Sequence, residues 1–320
     1  MRVLVTGAAG FLGSHVVGQL LDRGHAVRAV VRTSSALPEE WRGRAEVVEV
    51  DLQTGPALDS LFDGVDVLIH LAATMRGTAE AQRAGATVIT ERLLNGMRMA
   101  GSTRHVVLAG SCSVYDWTAA RGILNEESPL ETRLYDRDGY TIAKALQERI
   151  ARRFADENRW TLSVLRPGFI YGPGAGPAGG AGLKLGRVFL VFSPFARLRL
   201  THVDNCAGAF VDAAEKLVPG TFNIVDDDQV SAWRYAGRLN GRKGGNLRIP
   251  MPYYLGLTLA YLASIASRVL PRASRGKLPG ILNPRQYRAR FKPLQYDNRR
   301  AKEELDWECQ PLFETGCDVT

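Results

Sequence analysis

The sequence predicts an α/β protein built on a doubly wound parallel sheet, with a smaller carboxyl-terminal lobe. Three observations support this prediction: apolar runs alternate with amphipathic stretches along the first 165 residues, a glycine-rich turn follows the first run, and the composition changes after residue 166. The 320 residues are 45% hydrophobic and 23% charged. That balance is ordinary for a globular chain and excludes a disordered, collagen-like or disulfide-stapled protein.

Seven apolar runs are the predicted strands of the sheet. Each run is continuous rather than alternating, which is typical of parallel strands that helices bury on both faces. Residues 12–23 and 140–154 have the periodicity of amphipathic helices, and right-handed crossovers between parallel strands give a doubly wound sheet. The runs are 3–6, 27–31, 47–50, 67–71, 105–108, 162–165 and 221–225.

A glycine-rich turn joins the first predicted strand to the first predicted helix. Gly7, Gly10 and Gly13 stand in GxxGxxG spacing within TGAAGFLGSH. Glycine lets the backbone turn sharply and approach a pyrophosphate, and a helix N-terminus offers free N–H groups and a partial positive charge. The position between strand and helix predicts a dinucleotide-binding, Rossmann-type domain.

The end of the second predicted strand indicates which dinucleotide is bound. An acid at this position binds the ribose hydroxyls of NAD, but here the strand ends at Val31 and continues with Arg32 and Thr33. A guanidinium suits the 2′-phosphate of NADP, while a solvated surface arginine is the alternative interpretation. We therefore expect NADP as cofactor, with NAD as the second candidate.

The domain boundaries follow the change in composition after Arg166. Residues 1–165, with the strand near 221–226, form the predicted dinucleotide-binding domain, and residues 166–220 and 227–320 form the predicted substrate lobe. The Gly-, Pro- and Ala-rich segment 172–182 predicts a mobile loop that could close over a substrate.

A tyrosine and a lysine form a candidate catalytic pair. Tyr140 and Lys144 are four residues apart in a predicted helix and so share one face. A phenol has a pKa of about 10, which is too high for a base at neutral pH. We therefore expect Lys144 and an oxidised nicotinamide to lower the pKa of Tyr140. The hydroxyls of Ser111 and Ser113 follow the predicted strand at 105–108, at the edge where open α/β sheets bind ligands.

In this order the glycine turn, the strand-end serine and the YxxxK pair resemble the extended short-chain dehydrogenase/reductase family, over nearly the whole chain. Further matches are Asp51-Leu52, HLAA at 70–73, RPGFIYGPG at 166–174, THVDN at 201–205 and DNRRAKEELDW at 297–307. The resemblance implies that Ser111 is the catalytic serine, that Tyr140 is the acid/base and that Lys144 binds the nicotinamide ribose. The cofactor contacts that it implies are Gly7, Gly10, Phe11, Leu12, Gly13, Arg32, Asp51, Leu52, Leu71, Ala72, Ala73, Lys144 and Pro167.

Departures from the family pattern bear on the substrate. Ser111, Cys112 and Ser113 stand where sugar-nucleotide dehydratases carry Thr-Asp-Glu, so the acid and base of that dehydration are missing. Phe169 stands where sugar-nucleotide epimerases usually carry asparagine. We expect Ser113 and Phe169 to contact the substrate. Other departures are Ala86, in place of a helix asparagine, and Asp116, in place of a glycine.

Three functional hypotheses follow. The first is an NADP-dependent oxidoreductase that interconverts a secondary alcohol and a ketone on a largely apolar small molecule. The second is an epimerase of a nucleotide- or lipid-linked sugar that retains its cofactor. The third is a regulatory or scaffolding protein without turnover, which the intact set of Ser111, Tyr140 and Lys144 opposes. The resembling family also makes a homodimer one alternative for the assembly.

The cysteines indicate the compartment. Cys112, Cys206, Cys309 and Cys317 form neither a CxxC pair nor a metal-ligand spacing. We therefore expect no metal site and reduced thiols. The chain opens on a predicted strand and glycine turn rather than a leader, so we expect a cytoplasmic protein.

Positive charge is concentrated near the carboxyl end. Residues 234–302 hold 16 of the 41 Lys and Arg but one of the 33 Asp and Glu, so this segment carries +15 and the rest of the chain −7. Without a nucleic-acid motif or interleaved aromatic residues, we expect no nucleic-acid partner. Two alternatives remain, an anionic substrate and an anionic membrane surface.

Within this basic segment, residues 249–267 are uncharged. Leu255, Leu259, Leu262 and Ile265 recur at helical spacing, and the prolines, tyrosines and serines dilute the apolar character. We expect a helix that packs its leucine face inside the protein. A peripheral contact of residues 250–272 with the inner membrane face and a bilayer span are the alternatives.

Overall fold

The computed structural model describes residues 1–33, 37–73, 78–175, 180–241, 247–269 and 280–313. Cys317, residues 176–179 of the predicted loop and residues 270–272 of the predicted membrane contact lie outside these ranges. The strands are β1 (Arg2–Thr6), β2 (Ala26–Val31), β3 (Ala45–Glu49), β4 (Val67–His70), β5 (His105–Ala109), β6 (Ile123–Leu124), β7 (Thr161–Pro167), β8 (Phe169–Tyr171), β9 (Gly182–Leu185), β10 (Val188–Phe192), β11 (Leu200–His202), β12 (Gly220–Ile224), β13 (Leu247–Met251) and β14 (Gln295–Tyr296). The helices are α1 (Phe11–Asp22), α2 (Ala79–Ala100), α3 (Gly139–Asn158), α4 (Val203–Lys216), α5 (Ala232–Gly241), α6 (Tyr253–Val269), α7 (Pro284–Phe291) and α8 (Arg299–Leu305).

The main sheet contains all seven predicted strands, in the order β3-β2-β1-β4-β5-β7-β12 and parallel throughout. The strand order reverses between β1 and β4, which creates the crevice where ligands of such sheets bind. Helices α1, α4 and α8 cover one face and helices α2 and α3 the other. The predicted fold class, a doubly wound Rossmann-type sheet, is confirmed.

The core explains why the strands are continuous apolar runs. In β1, Val3 and Val5 pack in the layer beneath α1 and α4, while Leu4 between them packs beneath α2 and α3. Successive side chains of a strand point to opposite faces, so burial on both faces requires every position to be apolar. Full burial of one such side chain contributes roughly 1.5–3 kcal/mol.

The second lobe contains a three-stranded sheet in the order β13-β10-β9, together with α5, α6 and α7. Two short parallel pairs, β8 with β11 and β6 with β14, join this lobe to the main domain. The pair β8–β11 places Phe169 opposite Leu200 and Tyr171 opposite His202, so it brings together the RPGFIYGPG and THVDN motifs.

Helix α6 forms as predicted, but the prediction that its leucine face packs inside is wrong. The exposed fraction is 51% for Leu255, 57% for Leu262 and 56% for Ile265. The buried side of the helix instead presents Gly256, Leu257 and Ala260. A Cβ added at Gly256 would lie 2.1 Å from the Tyr287 hydroxyl, so the absence of a side chain there lets α7 approach closely.

Within the described ranges, every helix is too short or too polar to cross a bilayer.

Candidate active site

The glycine turn is shaped by close backbone contacts. Gly7 has a φ of +70°, and a Cβ there would lie 2.9 Å from the Ala72 amide nitrogen. A Cβ on Gly13 would lie 2.1 Å from the Gly7 carbonyl oxygen. Gly10 is the N-cap of α1 and has no side chain to occupy the first-turn amides, which are therefore available to a pyrophosphate. The turn, which continues into Phe11 and Leu12, fits a dinucleotide.

A buried polar network links the edges of β1 and β4 to the helices beneath them. The Thr6 hydroxyl lies 2.7 Å from His70 Nδ1, and His70 Nε2 lies 3.1 Å from the Thr90 hydroxyl. Gln147 donates to both Thr90 and the Ala72 carbonyl at 3.1 Å. Burial, with a smaller contribution from a nearby lysine charge, lowers the pKa of His70 to about 3 and keeps the imidazole neutral. The network holds the strand ends where Leu71, Ala72 and Ala73 begin.

Arg32 and Asp51 lie together beyond the ends of β2 and β3. Both side chains are exposed. Hydrogen bonds from the amides of Gln53 and Thr54, with a smaller contribution from the charge of Arg32, hold the pKa of Asp51 below its usual value. The following Leu52 is buried. The structure thus brings together the residues predicted for the adenosine half of the cofactor.

The three candidate catalytic residues meet at the carboxyl end of β5. Helix α3 begins one residue before Tyr140, where the Asp138 side chain accepts a hydrogen bond from the Thr141 amide at 3.1 Å. The Ser111 hydroxyl lies close enough to the Tyr140 phenol to oppose the rise of its pKa. One turn further along α3, Lys144 Nζ donates to the Ala109 carbonyl at 2.7 Å. The side chain of Lys144 is buried, whereas that of Tyr140 is half-buried and accessible from the crevice.

In the protein alone, the pKa of Tyr140 lies above its usual value. Burial raises the pKa of the phenol, and the neighbouring Ser111 hydroxyl opposes that rise. The Lys144 ammonium is directed to the Ala109 carbonyl at the strand end. The expected lowering of the pKa therefore depends on the positive charge of an oxidised nicotinamide as well as on Lys144.

A buried ion pair, missed by the sequence analysis, joins α3 to β7. Arg166 Nε and Nη2 donate to the two carboxylate oxygens of Glu148 at 3.1 and 2.7 Å, and both side chains are almost fully buried. The guanidinium also lies over the Tyr115 ring at 4.8 Å, and the Tyr115 hydroxyl donates to Asn223 Oδ1 at 2.7 Å. This group aligns the end of β7, with Pro167, against the helix that carries Tyr140 and Lys144.

The residues predicted to contact substrate lie in different surroundings. The Ser113 hydroxyl is buried and has no hydrogen-bond partner among the described residues. Phe169 is half-buried, and its ring lies 4.4 Å from the guanidinium carbon of Arg199, which also lies over the Trp117 ring at 4.3 Å. The structure therefore gives Ser113 an unused hydroxyl and gives Phe169 a partly accessible ring, without a direct contact between the two.

A second buried polar group, also missed from the sequence, follows β12. Asp226 accepts hydrogen bonds from the His202 amide at 2.7 Å and from Asn205 Nδ2 at 3.0 Å. Burial raises the pKa of this carboxyl to about 7, and these hydrogen bonds oppose the rise. Asp226 thereby holds the THVDN segment at the start of α4 against the main sheet.

Spacing along α3 could have revealed part of these networks. Gln147 and Glu148 follow Lys144 by three and four residues and so continue the face that begins at Tyr140. Their partners Thr90 and Arg166 are far away in the chain and carry no comparable local signal. Ala86 is fully buried on α2, where its carbonyl accepts the Thr90 hydroxyl at 2.8 Å.

Lys144 makes the free energy of unfolding depend on pH. Burial lowers its pKa to about 8 although the charge of Glu148 opposes this, so the unfolded chain binds the proton more tightly than the folded one. Stability should therefore rise with pH between about 8 and 10.5, and the buried charge should cost free energy below that window. The free energy of unfolding of the wild type, minus that of Lys144→Met, should therefore increase by about 2–3 kcal/mol from about pH 7 to pH 10.

Urea unfolding of both chains at the two pH values measures this difference, and Lys184→Met removes an exposed lysine as the matched control. If the difference between the wild type and Lys144→Met were the same at both pH values, burial would not lower the pKa of Lys144.

A glycine turn at the reversal of the strand order, with a tyrosine and a lysine above the same edge, is the arrangement of dinucleotide-binding α/β enzymes. The chain belongs to the NAD dependent epimerase/dehydratase family, whose profile matches residues 3–224. The predicted resemblance to extended short-chain dehydrogenases/reductases is thereby confirmed, and the protein is an enzyme of this NAD(P)-dependent family.

Curated relatives include reductases and a hydroxysteroid dehydrogenase. A 3-diazoavenalumate denitrifying reductase of Streptomyces sp is 33% identical over 245 residues, which cover 72% of this chain and 78% of the relative. A 3β-hydroxysteroid dehydrogenase/Δ5→4-isomerase of Mycobacterium tuberculosis is 33% identical over 254 residues, with 73% and 67% covered. A ceramide reductase of Caulobacter vibrioides is 31% identical over 263 residues, with 78% and 74% covered.

Solved structures share the fold over nearly the whole chain. MoeE5 in complex with UDP-glucose and NAD has a TM-score of 0.70 and 23% identity, covering 100% of this chain and 97% of that one. The UDP-N-acetylglucosamine 4-epimerase from Bacillus cereus has a TM-score of 0.67 and 19% identity, covering 97% and 94%. At these identities the likeness shows the fold alone.

Proposed function

We propose that the protein is an NADP-dependent oxidoreductase that interconverts a secondary alcohol and a ketone on a largely apolar substrate. The observation that supports this most directly is the meeting of the Ser111 and Tyr140 hydroxyls at the carboxyl end of β5, close to the unpartnered hydroxyl of Ser113, and we assign the half-buried ring of Phe169 to the substrate. Two hydroxyls can hold one substrate oxygen, and an aromatic wall favours an apolar remainder.

The surroundings of Cys112 oppose a dehydratase. This residue stands in the place of a dehydratase's acidic residue, but its thiol is fully buried and donates to the Arg166 carbonyl at 3.2 Å. Burial raises the pKa of the thiol to about 12. A neutral thiol that faces the backbone can neither donate nor remove a substrate proton, so oxidation–reduction without water loss is the chemistry left to the site.

The names of several relatives agree with an apolar substrate. A steroid and a ceramide are both largely apolar molecules that carry hydroxyl groups, and relatives at 31–33% identity are named for reactions on them. The half-buried ring of Phe169 provides the matching wall in this chain.

The residues divide the chemistry as follows. The bound nicotinamide supplies or accepts the hydride and carries positive charge when oxidised. Tyr140 gives a proton to the carbonyl oxygen during reduction, or removes it from the hydroxyl during oxidation, at its phenol oxygen. Ser111 hydrogen-bonds to the same substrate oxygen and stabilises the charge that develops there. Lys144, held at the Ala109 carbonyl, positions the ribose side of the cofactor.

The choice of NADP is supported by Arg32. Its exposed guanidinium stands at the end of β2, and the neighbouring carboxylate is Asp51, which has its own backbone partners at Gln53 and Thr54. A 2′-phosphate beside Arg32 would meet its guanidinium, while the Asp51 carboxylate is held by its backbone partners.

We expect Arg32→Ala to weaken NADPH binding about tenfold, equivalent to about 1.4 kcal/mol, and to change NADH binding less than about twofold. Fluorescence titration with both cofactors gives the two dissociation constants. Arg42→Ala, which removes another exposed arginine of the same domain, is the matched control. Tighter wild-type binding of NADH than of NADPH would refute the choice.

A second candidate function, epimerisation of a sugar linked to a diphosphate, is favoured by one depression in the smaller lobe. Its lining includes Arg197 and Arg290, two exposed cations that suit an anionic group.

The two functions are separated by following cofactor absorbance in purified protein. A reductase should oxidise added NADPH when given apolar ketones, such as steroid ketones, with one NADPH consumed per ketone reduced. An epimerase should retain its cofactor through purification and interconvert sugar-nucleotide epimers without net NADPH consumption, and that outcome would replace the first function by the second.

A further inference from the structure

Helix α6 exposes most of its large apolar side chains and buries mainly small ones. At 100° per residue, the exposed positions 254, 255, 258, 259, 261, 262, 265 and 266 fall within one outward stripe that consists of Leu, Ile, Tyr, Thr and Ala. The inward side is narrow and is formed mainly by Gly256, Leu257 and Ala260. A surface helix of a globular protein normally buries its large apolar side chains, but this stripe has no partner among the residues that the structure describes.

The three-stranded sheet extends the same apolar surface. The register pairs Val188 with both Leu247 and Leu185, and it pairs Leu190 with Ile249 and Leu183, so these residues share one face. One end of that face, at Phe192 and Met251, packs beneath α6. Its other end stays open, because Leu185 and Leu247 are more than half exposed. The open face and the α6 stripe are therefore neighbouring parts of one surface.

Two exposed aromatic residues stand where β10 and β13 end beside α6. The Ser193 amide donates to the Met251 carbonyl at 2.9 Å, and Phe195 and Tyr254 follow these two residues by two and three positions. Phe195 is 88% exposed and Tyr254 is 77% exposed. Aromatic side chains in such positions are suited to a membrane–water interface.

The segments that build this surface contain basic residues and no acidic ones. Residues 180–202 hold four Lys or Arg and no Asp or Glu, and residues 229–296 hold thirteen Lys or Arg and no Asp or Glu. Arg187 is exposed at the β9–β10 turn, beside Leu185, whereas Lys184 is exposed on the opposite face of β9. The guanidinium of Arg288, on α7, lies over the ring of Tyr261, on α6, at 5.5 Å.

We propose that α6 and the open face of the β13-β10-β9 sheet dock this protein on a lipid bilayer that contains anionic lipids. The apolar stripe would enter the headgroup–acyl boundary while the surrounding cations meet lipid phosphates. A second copy of the chain is a poorer occupant, because its identical surface would bring two positively charged segments together. Docking here places the substrate lobe, and not the dinucleotide-binding domain, at the membrane.

The test uses the full chain without cofactor or substrate, so its result is independent of the proposed reaction. Co-sedimentation with vesicles of phosphatidylcholine mixed with phosphatidylglycerol should recover the protein at low salt. Pure phosphatidylcholine vesicles, or high salt, should recover much less. Leu262→Glu should lower the vesicle affinity about tenfold, because a charge replaces an inserted leucine. Arg187→Gln should lower it about fivefold.

Met99→Glu is the matched control, since Met99 is an exposed apolar residue of α2 on the other domain, and its vesicle affinity should equal that of the wild type. Equal recovery on neutral and anionic vesicles, or no recovery on either, would overturn the proposal. Light scattering that shows a dimer which Leu262→Glu dissociates, without vesicle binding, would overturn it in favour of a second copy.

Discussion

Replacing Tyr140 by phenylalanine should lower kcat about a thousandfold while leaving the dissociation constant of the cofactor within about twofold. The change removes only the phenol oxygen, which lies beside Ser111 and is the proposed proton donor. Positioned general acids contribute about 10²–10⁴-fold to a rate. The predicted cofactor contacts, which include the glycine turn, Lys144 and Arg32, do not involve this oxygen, so they should survive the substitution.

Single-turnover oxidation of NADPH measures the chemical step, and fluorescence titration measures cofactor binding. Tyr135→Phe supplies a matched control with the same chemical change, because Tyr135 is 84% exposed just before α3. Full activity of Tyr140→Phe would remove the assignment of the acid/base, and a loss of cofactor binding equal to the loss of rate would make the role of Tyr140 structural.

Breaking the Glu148–Arg166 pair should have the largest effect on stability. Glu148→Leu leaves the guanidinium of Arg166 buried without its bidentate partner, and such uncompensated charges cost about 3–5 kcal/mol of the free energy of unfolding. The double variant Glu148→Leu with Arg166→Met removes both charges. It should recover most of that loss, because a packed apolar pair often replaces a buried ion pair at little cost.

Urea unfolding measures these free energies, provided that the slope with denaturant is unchanged. Glu91→Gln is the control for an exposed pair, since Glu91 meets Arg153 at the surface, and its effect should stay within about 1 kcal/mol. If Glu148→Leu were as mild as Glu91→Gln, the buried pair would not hold α3 to β7. The double variant should also keep its cofactor affinity, because neither side chain belongs to the predicted cofactor contacts.

Much of the dinucleotide-binding domain could be predicted because its signals are local. The glycine turn, the continuous strands and the spacing from Tyr140 to Lys144 each depend on a few neighbouring residues, and the structure places all of them at one edge of the sheet. The serine at the end of β5 follows for the same reason, since parallel strands end on the same side.

The polar networks beneath that edge could not be predicted in the same way. The hydrogen-bonded residues Thr90 and His70 are twenty positions apart in the sequence, and Arg166 and Glu148 are eighteen positions apart. A buried polar group reveals itself only when burial and partner are both known, because the same residue types on a surface would simply be solvated. The direction of the Lys144 ammonium could not be predicted either, since it depends on the Ala109 carbonyl at the end of β5.

Helix α6 shows the limit most clearly. Apolar periodicity correctly located a helix at Tyr253–Val269, but a helical pattern states only that one face differs from the other. The face that turns inward was settled by close packing of Gly256 against Tyr287 of α7, a contact between residues thirty-one positions apart. Local pattern was enough for the elements, the sheet and the cofactor turn, because backbone geometry and burial period act over a few residues. Long-range packing decided which side chains are buried, which charges are paired and which apolar face remains open to a partner.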